Sequence, residues 1–160
     1  MIRAVRLSDS EHIAGLYNRY VTETTVSFET EPLTVEAMRD RIKAVSETFP
    51  YFVWEDEGRA VAYCYAHQWK ERAAYCHTWE TTIYISQEYH GCGIGRMLMA
   101  CLIDECRKRG AYSLIACVTA ENMASIGFHE AIGFRRVSFF SGVGMKFGRR
   151  LDVVDLQLDL

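Results

Sequence analysis

Between Glu88 and Gly95 the chain reads Glu-Tyr-His-Gly-Cys-Gly-Ile-Gly, and Gly91, Gly93 and Gly95 stand directly before a run with helical periodicity. Backbone N–H groups at a helix entrance have no intrahelical acceptor. With side chains removed they can point outward together, and the helix dipole adds partial positive charge. That chemistry suits a diphosphate. Glycine also permits positive φ and close approach of a ligand. The stretch lacks the Gly-Lys-Ser/Thr of a nucleotide phosphate loop. No βαβ repeat surrounds it, as a dinucleotide fold would require. A tight turn that needs glycine for packing alone is the other reading these residues allow.

The elements around the turn follow from pattern. Ile2 to Val5 reads as a short strand, and Ser8 to Glu11 fits a capping box in which Ser8 accepts from an early helix amide. Ile13, Leu16, Tyr17 and Tyr20 then recur at helical spacing. Thr34 is a second N-cap candidate, with Met38, Ile42 and Val45 on one face and Pro50 closing the segment. Tyr51 to Glu55 and Arg59 to His67 flank Asp56-Glu57-Gly58, a hairpin signal. Trp69 to Tyr75 is a polar, basic loop, and Thr78 to Ser86 alternates as a strand. After the glycine turn, Arg96 to Arg109 reads as a helix with Leu98, Leu102 and Cys106 on one face. Tyr112 to Val118 is a strand, Asn122 to Ile132 a short helix, and Phe134 to Phe140 a strand. Ser141 to Gly148 reads as a glycine-rich loop before a last strand, Leu151 to Leu158. The sum is an α+β fold with a central mixed, mostly antiparallel sheet of about six or seven strands flanked by about four helices.

Length and composition set limits. The 160 residues suggest one domain, residues 1–160, large enough for its own core. A formal net charge of −3 argues against a nucleic-acid grip. The clusters Arg107 to Arg109 and Arg149-Arg150 read as solvated charges. None of the six Cys forms a C-x-x-C pair or a zinc-ligand spacing, so no metal is expected. No run approaches the roughly 18 apolar residues of a membrane helix, and no secretory leader is visible. The expectation is a reduced, cytoplasmic protein without a membrane or nucleic-acid partner.

Two stretches resemble a known superfamily. His90-Gly91-Cys92-Gly93-Ile94-Gly95 resembles the Gln/Arg-x-x-Gly-x-Gly/Ala signature of GNAT acetyltransferases, with His90 where the signature has Gln or Arg. Asn122 to Phe134, with Phe128-His129 near its helix end and Gly133-Phe134 opening a strand, resembles the second signature. A narrower resemblance, to the phosphinothricin and methionine sulfoximine acetyltransferase branch, lies in Thr25 to Pro32, Trp69 to Tyr75, Glu80 to Ser86 and Leu156 to Asp159. That branch has His at the position of His129, where most of the superfamily has Tyr. The resemblance implies the GNAT fold, acetyl-CoA as cosubstrate, a small-molecule amine acceptor such as a free amino acid or analogue, and a homodimer; the mechanism expected for such a site is direct transfer in a ternary complex.

The same resemblance implies roles. The coenzyme would lie on His90, Gly91, Cys92, Gly93, Ile94, Gly95 and Arg96, with Asn122 adding a hydrogen bond beside its N-cap duty. Its pantetheine amides would pair with the backbone of Ile83, Tyr84 and Ile85 as an added strand. Cys92 would be the most reactive thiol, at a helix N-terminus, yet far from the thioester. Glu80 would take the proton from the amine, in an apolar setting supplied by Trp79 and Tyr84; by residue type alone it reads equally as a solvent-facing edge carboxylate. The His129 imidazole would stabilise or protonate the departing thiolate, or else is a satisfied group near a helix end. Lys70, Arg72 and Tyr75 would receive the acceptor's carboxylate, with Phe28 and Glu29 as the opposite wall. Two rival functions remain: acetylation of polyamines or protein amines, and a CoA-binding module without chemistry.

Overall fold

The computed structural model describes residues 1–160. Strand β1 (Ile2–Ala4) is followed by α1 (Ser10–Glu23) and α2 (Val35–Ser46). Strands β2 (Tyr51–Asp56), β3 (Arg59–Gln68) and β4 (Thr78–Ile85) come next, then α3 (Ile94–Lys108). The chain ends with β5 (Ser113–Thr119), α4 (Met123–Ala131), β6 (Arg135–Lys146) and β7 (Arg149–Asp159). The strands form one sheet in the order β1-β2-β3-β4-β5-β7-β6. Every pairing is antiparallel except β4 with β5.

Each face of the sheet has its own core. On one, Ile13 and Tyr17 of α1 and Met38 and Ile42 of α2 pack on Tyr51, Val53 and Tyr63. On the other, Leu98, Met99, Leu102 and Cys106 of α3 and Ile126 of α4 meet Cys64, Leu114 and Leu156. The four-residue spacing in α3 therefore marks a buried stripe, and each fully buried Leu contributes about 1.5–3 kcal/mol. Thr34 caps α2, its hydroxyl accepting from the Ala37 N–H at 3.1 Å.

Three boundaries differ from the sequence reading. Before α1 the expected Ser8 cap is not made: the Asp9 carboxylate accepts from the Arg6 N–H at 2.8 Å and receives two bonds from Arg3, each 2.8 Å, and bonds no amide of α1. A short 3₁₀ turn, Leu7–Asp9, shifts the helix start accordingly. Helix α3 begins at Ile94, so Gly95 lies inside its first turn. The stretch expected as a glycine-rich loop is strand: β6 runs to Lys146, with a register shift between Phe140 and Gly144. The glycines there make room for neighbours. A Cβ on Gly144 would stand 2.4 Å from the Phe28 ring, and one on Gly142 would stand 2.7 Å from the Arg150 guanidinium.

Candidate active site

The parallel pair at the middle of the sheet does not stay paired. Strand β4 follows β3 from Trp79 to Ile85, but it meets β5 only where Thr78–Glu80 face Ser113–Ile115. Beyond Glu80 the strands part, and one edge of β4 has no ladder partner through Thr81–Ile85. Two cavities occupy the opening. One, of about 530 Å³, runs from Ile83, Tyr84 and Ile85 to His90, Gly91, Gly93, Ile94, Gly95 and Arg96. The other, of about 490 Å³, holds Phe28, Glu29, Glu80 and His129. They share Val26, Ile83, Tyr84, Asn122 and Ser125, so the split forms a continuous passage.

At the far end of the first cavity the peptide amides are free. No backbone N–H from Gly91 to Arg96 finds an acceptor in the protein; the first hydrogen bond of α3 is Met97 N–H to Gly93 O. Gly93, the N-cap, sits at φ 78°, a left-handed conformation costly for other residues. Cys92 is exposed in this turn. His90 turns away from it: Nε2 lies 3.1 Å from the Ile85 carbonyl and 3.1 Å from the Tyr20 hydroxyl. His90 thus ties the turn to the end of β4, and the amides are left without an acceptor in the protein. Asn122 caps α4, accepting from the Ser125 N–H at 3.2 Å. Unpaired amides at a helix mouth, joined to an unpaired strand edge, fit a diphosphate followed by an amide-bearing arm.

Glu80 stands where β4 and β5 diverge. Burial raises its carboxyl above the ordinary value; His67 opposes the shift when protonated, and Asp155 adds to it. Tyr84 shares its face of the strand, but Trp79 points to the opposite face. There the Trp79 ring packs edge-on against Phe49, and its Nε1–H donates to Cys76 O at 2.8 Å. The expected apolar contribution of Trp79 to Glu80 is therefore absent, because adjacent strand residues project to opposite faces. Cys117 also lines this cavity. Although the residue is exposed, desolvation in the cavity, with Asp155 and Glu80 nearby, pushes its thiol up to about 12.

His129 is buried, 3% exposed. Burial lowers its pKa, and its bond to Ser125 works the other way. Nδ1 lies 2.8 Å from the Ser125 carbonyl. A carbonyl only accepts, so the hydrogen is on Nδ1 and a neutral ring presents a lone pair at Nε2. Ser125, whose Oγ is 3.3 Å from Nδ1, touches both cavities.

Phe28 and Glu29 line the second cavity. Arg41 grips Glu29 through two bonds, 2.9 and 2.7 Å, and Tyr17 donates to it as well. Arg41 above all holds the Glu29 carboxyl below its usual range despite burial. The loop carrying both residues is pinned by Lys146 Nζ to Ser27 O at 2.6 Å and Thr119 Oγ1 to Thr25 O at 2.7 Å. Lys70, Arg72 and Tyr75 are not brought into this cavity. Their loop lies immediately beyond the β3–β4 ends, where Lys70 Nζ sits 4.1 Å from the Trp69 ring centroid and Arg72 is exposed. His67, Arg41, Lys146 and Ser125 are the residues sequence reasoning missed. Each acquires meaning from a partner distant in sequence or from the cavity wall, and only Ser125, inside the second signature, carried a local signal. No cluster of three or more His, Cys, Asp or Glu side chains is placed to hold a metal.

Comparison with known proteins agrees with this geometry. The family profile described as Acetyltransferase (GNAT) domain matches residues 2–154. Phosphinothricin N-acetyltransferase of Alcaligenes faecalis is 38% identical over 161 residues, covering 99% of this chain and 82% of that protein. The L-methionine sulfoximine/L-methionine sulfone acetyltransferase of Salmonella typhimurium is 30% identical, covering 99% and 94%. The crystal structure of a GNAT superfamily phosphinothricin acetyltransferase from Sinorhizobium meliloti in complex with AcCoA superposes with a TM-score of 0.96 at 31% identity, covering 100% and 88%.

Proposed function

Because the chain belongs to the GNAT acetyltransferase family, we propose that it moves the acetyl group of acetyl-CoA onto the amine of a small amino acid or analogue. Phosphinothricin, methionine sulfoximine and methionine sulfone define the acceptor type. The observation that carries the reading is the split between β4 and β5. It joins a cavity floored by free amides to a second cavity walled by Glu80. A bound coenzyme supplies an activated acetyl thioester.

The residues would act as follows. The amides of Gly91 to Arg96 bind the diphosphate, and the free edge of β4 at Ile83 to Ile85 orients the arm toward Glu80. A protonated amine cannot attack a carbonyl, and the raised carboxylate of Glu80 takes its proton. Amine and thioester, held together in one passage, react directly, so much of the rate comes from positioning. His129, with Nδ1–H committed to Ser125, protonates the leaving thiolate from Nε2 only in its imidazolium form. The Arg72 loop would receive an acceptor carboxylate at the cavity mouth or, in a homodimer, at the partner's. No helix is long and apolar enough to cross a membrane. The six free cysteines fit a reducing compartment such as the cytoplasm.

One observation favours a second reading. The acceptor cavity is lined by two carboxylates, Glu29 and Glu80, and by no Lys or Arg, which suits a cationic polyamine. Arg41 already balances Glu29, so the first reading is preferred. A panel of phosphinothricin, methionine sulfone, methionine sulfoximine, free amino acids and spermidine, scored by free-thiol release from acetyl-CoA, separates the two. Release with spermidine alone would overturn the amino-acid reading, and no release with any amine would leave a coenzyme-binding module.

A further inference from the structure

The acceptor cavity holds a second imidazole, His67, to which nothing above gives a role. It lies on β3 directly across the ladder from Glu80. Residues opposed in a ladder share a face, so both side chains enter the same space. His67 Nε2 is 3.9 Å from Glu80 Oε1, and His67 Nδ1 is 2.9 Å from the Gln68 carbonyl. That carbonyl fixes the hydrogen on Nδ1 and leaves the lone pair of Nε2 facing the carboxyl. The His67 side chain is 35% exposed, against 28% for Glu80. The other ionisable groups around the pair are Tyr65 on β3, Cys117 on β5 and Asp155 on β7; none is basic. In a ternary complex the acceptor and the thioester would occupy the cavity beside Glu80, so a proton taken there would need a way out before the next cycle.

We propose that His67 is the proton exit of this enzyme, receiving from Glu80 the proton that Glu80 removes from the acceptor amine. The inference rests on Glu80 being the base. The amine N–H bond breaks as Glu80 Oε gains the proton. The Glu80 O–H bond then breaks as His67 Nε2 gains it. The imidazolium, still donating through Nδ1 to Gln68, passes the Nε2 proton to water, and both groups return to their starting states. Imidazole suits the task because it exchanges protons readily near neutral pH. The 3.9 Å gap is a resting distance; such contacts commonly tighten once the reactants are bound. His67 acts through Glu80 and is a positioning residue rather than one that touches the reacting atoms.

The test compares His67→Gln with Glu80→Gln, in dilute buffer, under saturating acetyl-CoA and acceptor. His67→Gln is expected to lower kcat about tenfold with both KM values unchanged, and added imidazole should restore the loss, since small bases replace a missing proton carrier. The double variant should be no slower than Glu80→Gln alone, as expected for two groups on one path. A His67→Gln enzyme as fast as the parent, or one whose deficit imidazole does not relieve, overturns the relay. If Glu80→Gln itself keeps full turnover, the base assignment falls and the relay falls with it. If Glu80→Gln is slow while His67→Gln is not, only the relay fails. His67→Asn repeats the comparison should the first variant melt early.

Discussion

Glu80 combines two demands that oppose each other. Burial raises its carboxyl, with His67 acting against the shift when protonated and Asp155 reinforcing it. A base must be ionised to work, so kcat/KM should rise with pH through this raised value, and the acid limb should lie above the ordinary 4.5. A rate profile whose limb sits at or below that value would contradict the assignment. The same shift has a structural cost. An acid whose folded pKa is raised favours the folded state while protonated, and that advantage is lost as pH rises through the folded value. Glu80→Gln should therefore lower kcat by about a hundredfold or more, yet melt higher than the parent at pH 7, with the two melting curves converging in acid. A variant that is slow and also melts lower would point to a structural defect. The Asn122 cap and the glycine turn before α3 were legible because each belongs to a local pattern, whereas Glu80 was singled out only through the family resemblance. His67 was not, because a histidine in an alternating strand acquires meaning only from the residue across the ladder. Arg41 likewise matters only through Glu29, reached by folding α2 over the loop.

The same distinction between local and distant partners governs the elements. Helix and hairpin signals that act within a turn, such as Thr34 before α2 and Glu57-Gly58 between β2 and β3, place their elements well; Glu57 and Gly58 both take positive φ, as a two-residue hairpin requires. The second half of β6 was read as a loop because Gly142 and Gly144 make room for Arg150 across the hairpin and for Phe28, remote in sequence. Asp9 is the joint between β1 and α1. Burial alone would raise its carboxyl, but bonds from Arg3 and the Arg6 N–H outweigh burial and hold it below the usual range. The stabilisation is complete above the unfolded pKa and is lost as pH falls through the folded one. Asp9→Ala should cost about 2 kcal/mol at neutral pH, read as a lower urea midpoint with unchanged slope, and the difference should shrink in acid. At the other joint, Gly93→Val places a β-branched residue at φ 78°. Free protein can relax the turn, but coenzyme binding must restore it. The strain, about 1–3 kcal/mol, then appears as an affinity for CoA weaker by about tenfold or more in calorimetry, with the acceptor KM little changed. Undiminished CoA affinity would mean that the turn is not the diphosphate site.

At the scale of the whole molecule, the sheet ends in an edge that a lone chain leaves costly. Strand β6 lies outermost, and it exposes Val137, Phe139, Val143 and Met145 at 46, 62, 61 and 64%, with Phe147 of the following turn at 58%. Apolar side chains exposed on an unpaired edge strand favour association, and an edge left open would invite uncontrolled pairing. A second copy of the chain is the partner the family resemblance proposes. Such a contact would need to bury about 1,000 Å² or more in total to persist. It would also hold the β6–β7 hairpin, whose Gly144 and Lys146 support the loop bearing Phe28 and Glu29. Assembly and acceptor binding should therefore be linked. The doubly substituted Phe139→Glu, Met145→Glu protein should sediment near 18.4 kDa while the parent sediments at about twice that mass. Its acceptor KM should rise several-fold, with CoA affinity retained because the glycine turn lies across the sheet from this edge. A parent that remains monomeric at tens of micromolar would remove the dimer from the account. A monomeric variant with an unchanged acceptor KM would show that the hairpin holds the acceptor loop without help from a partner.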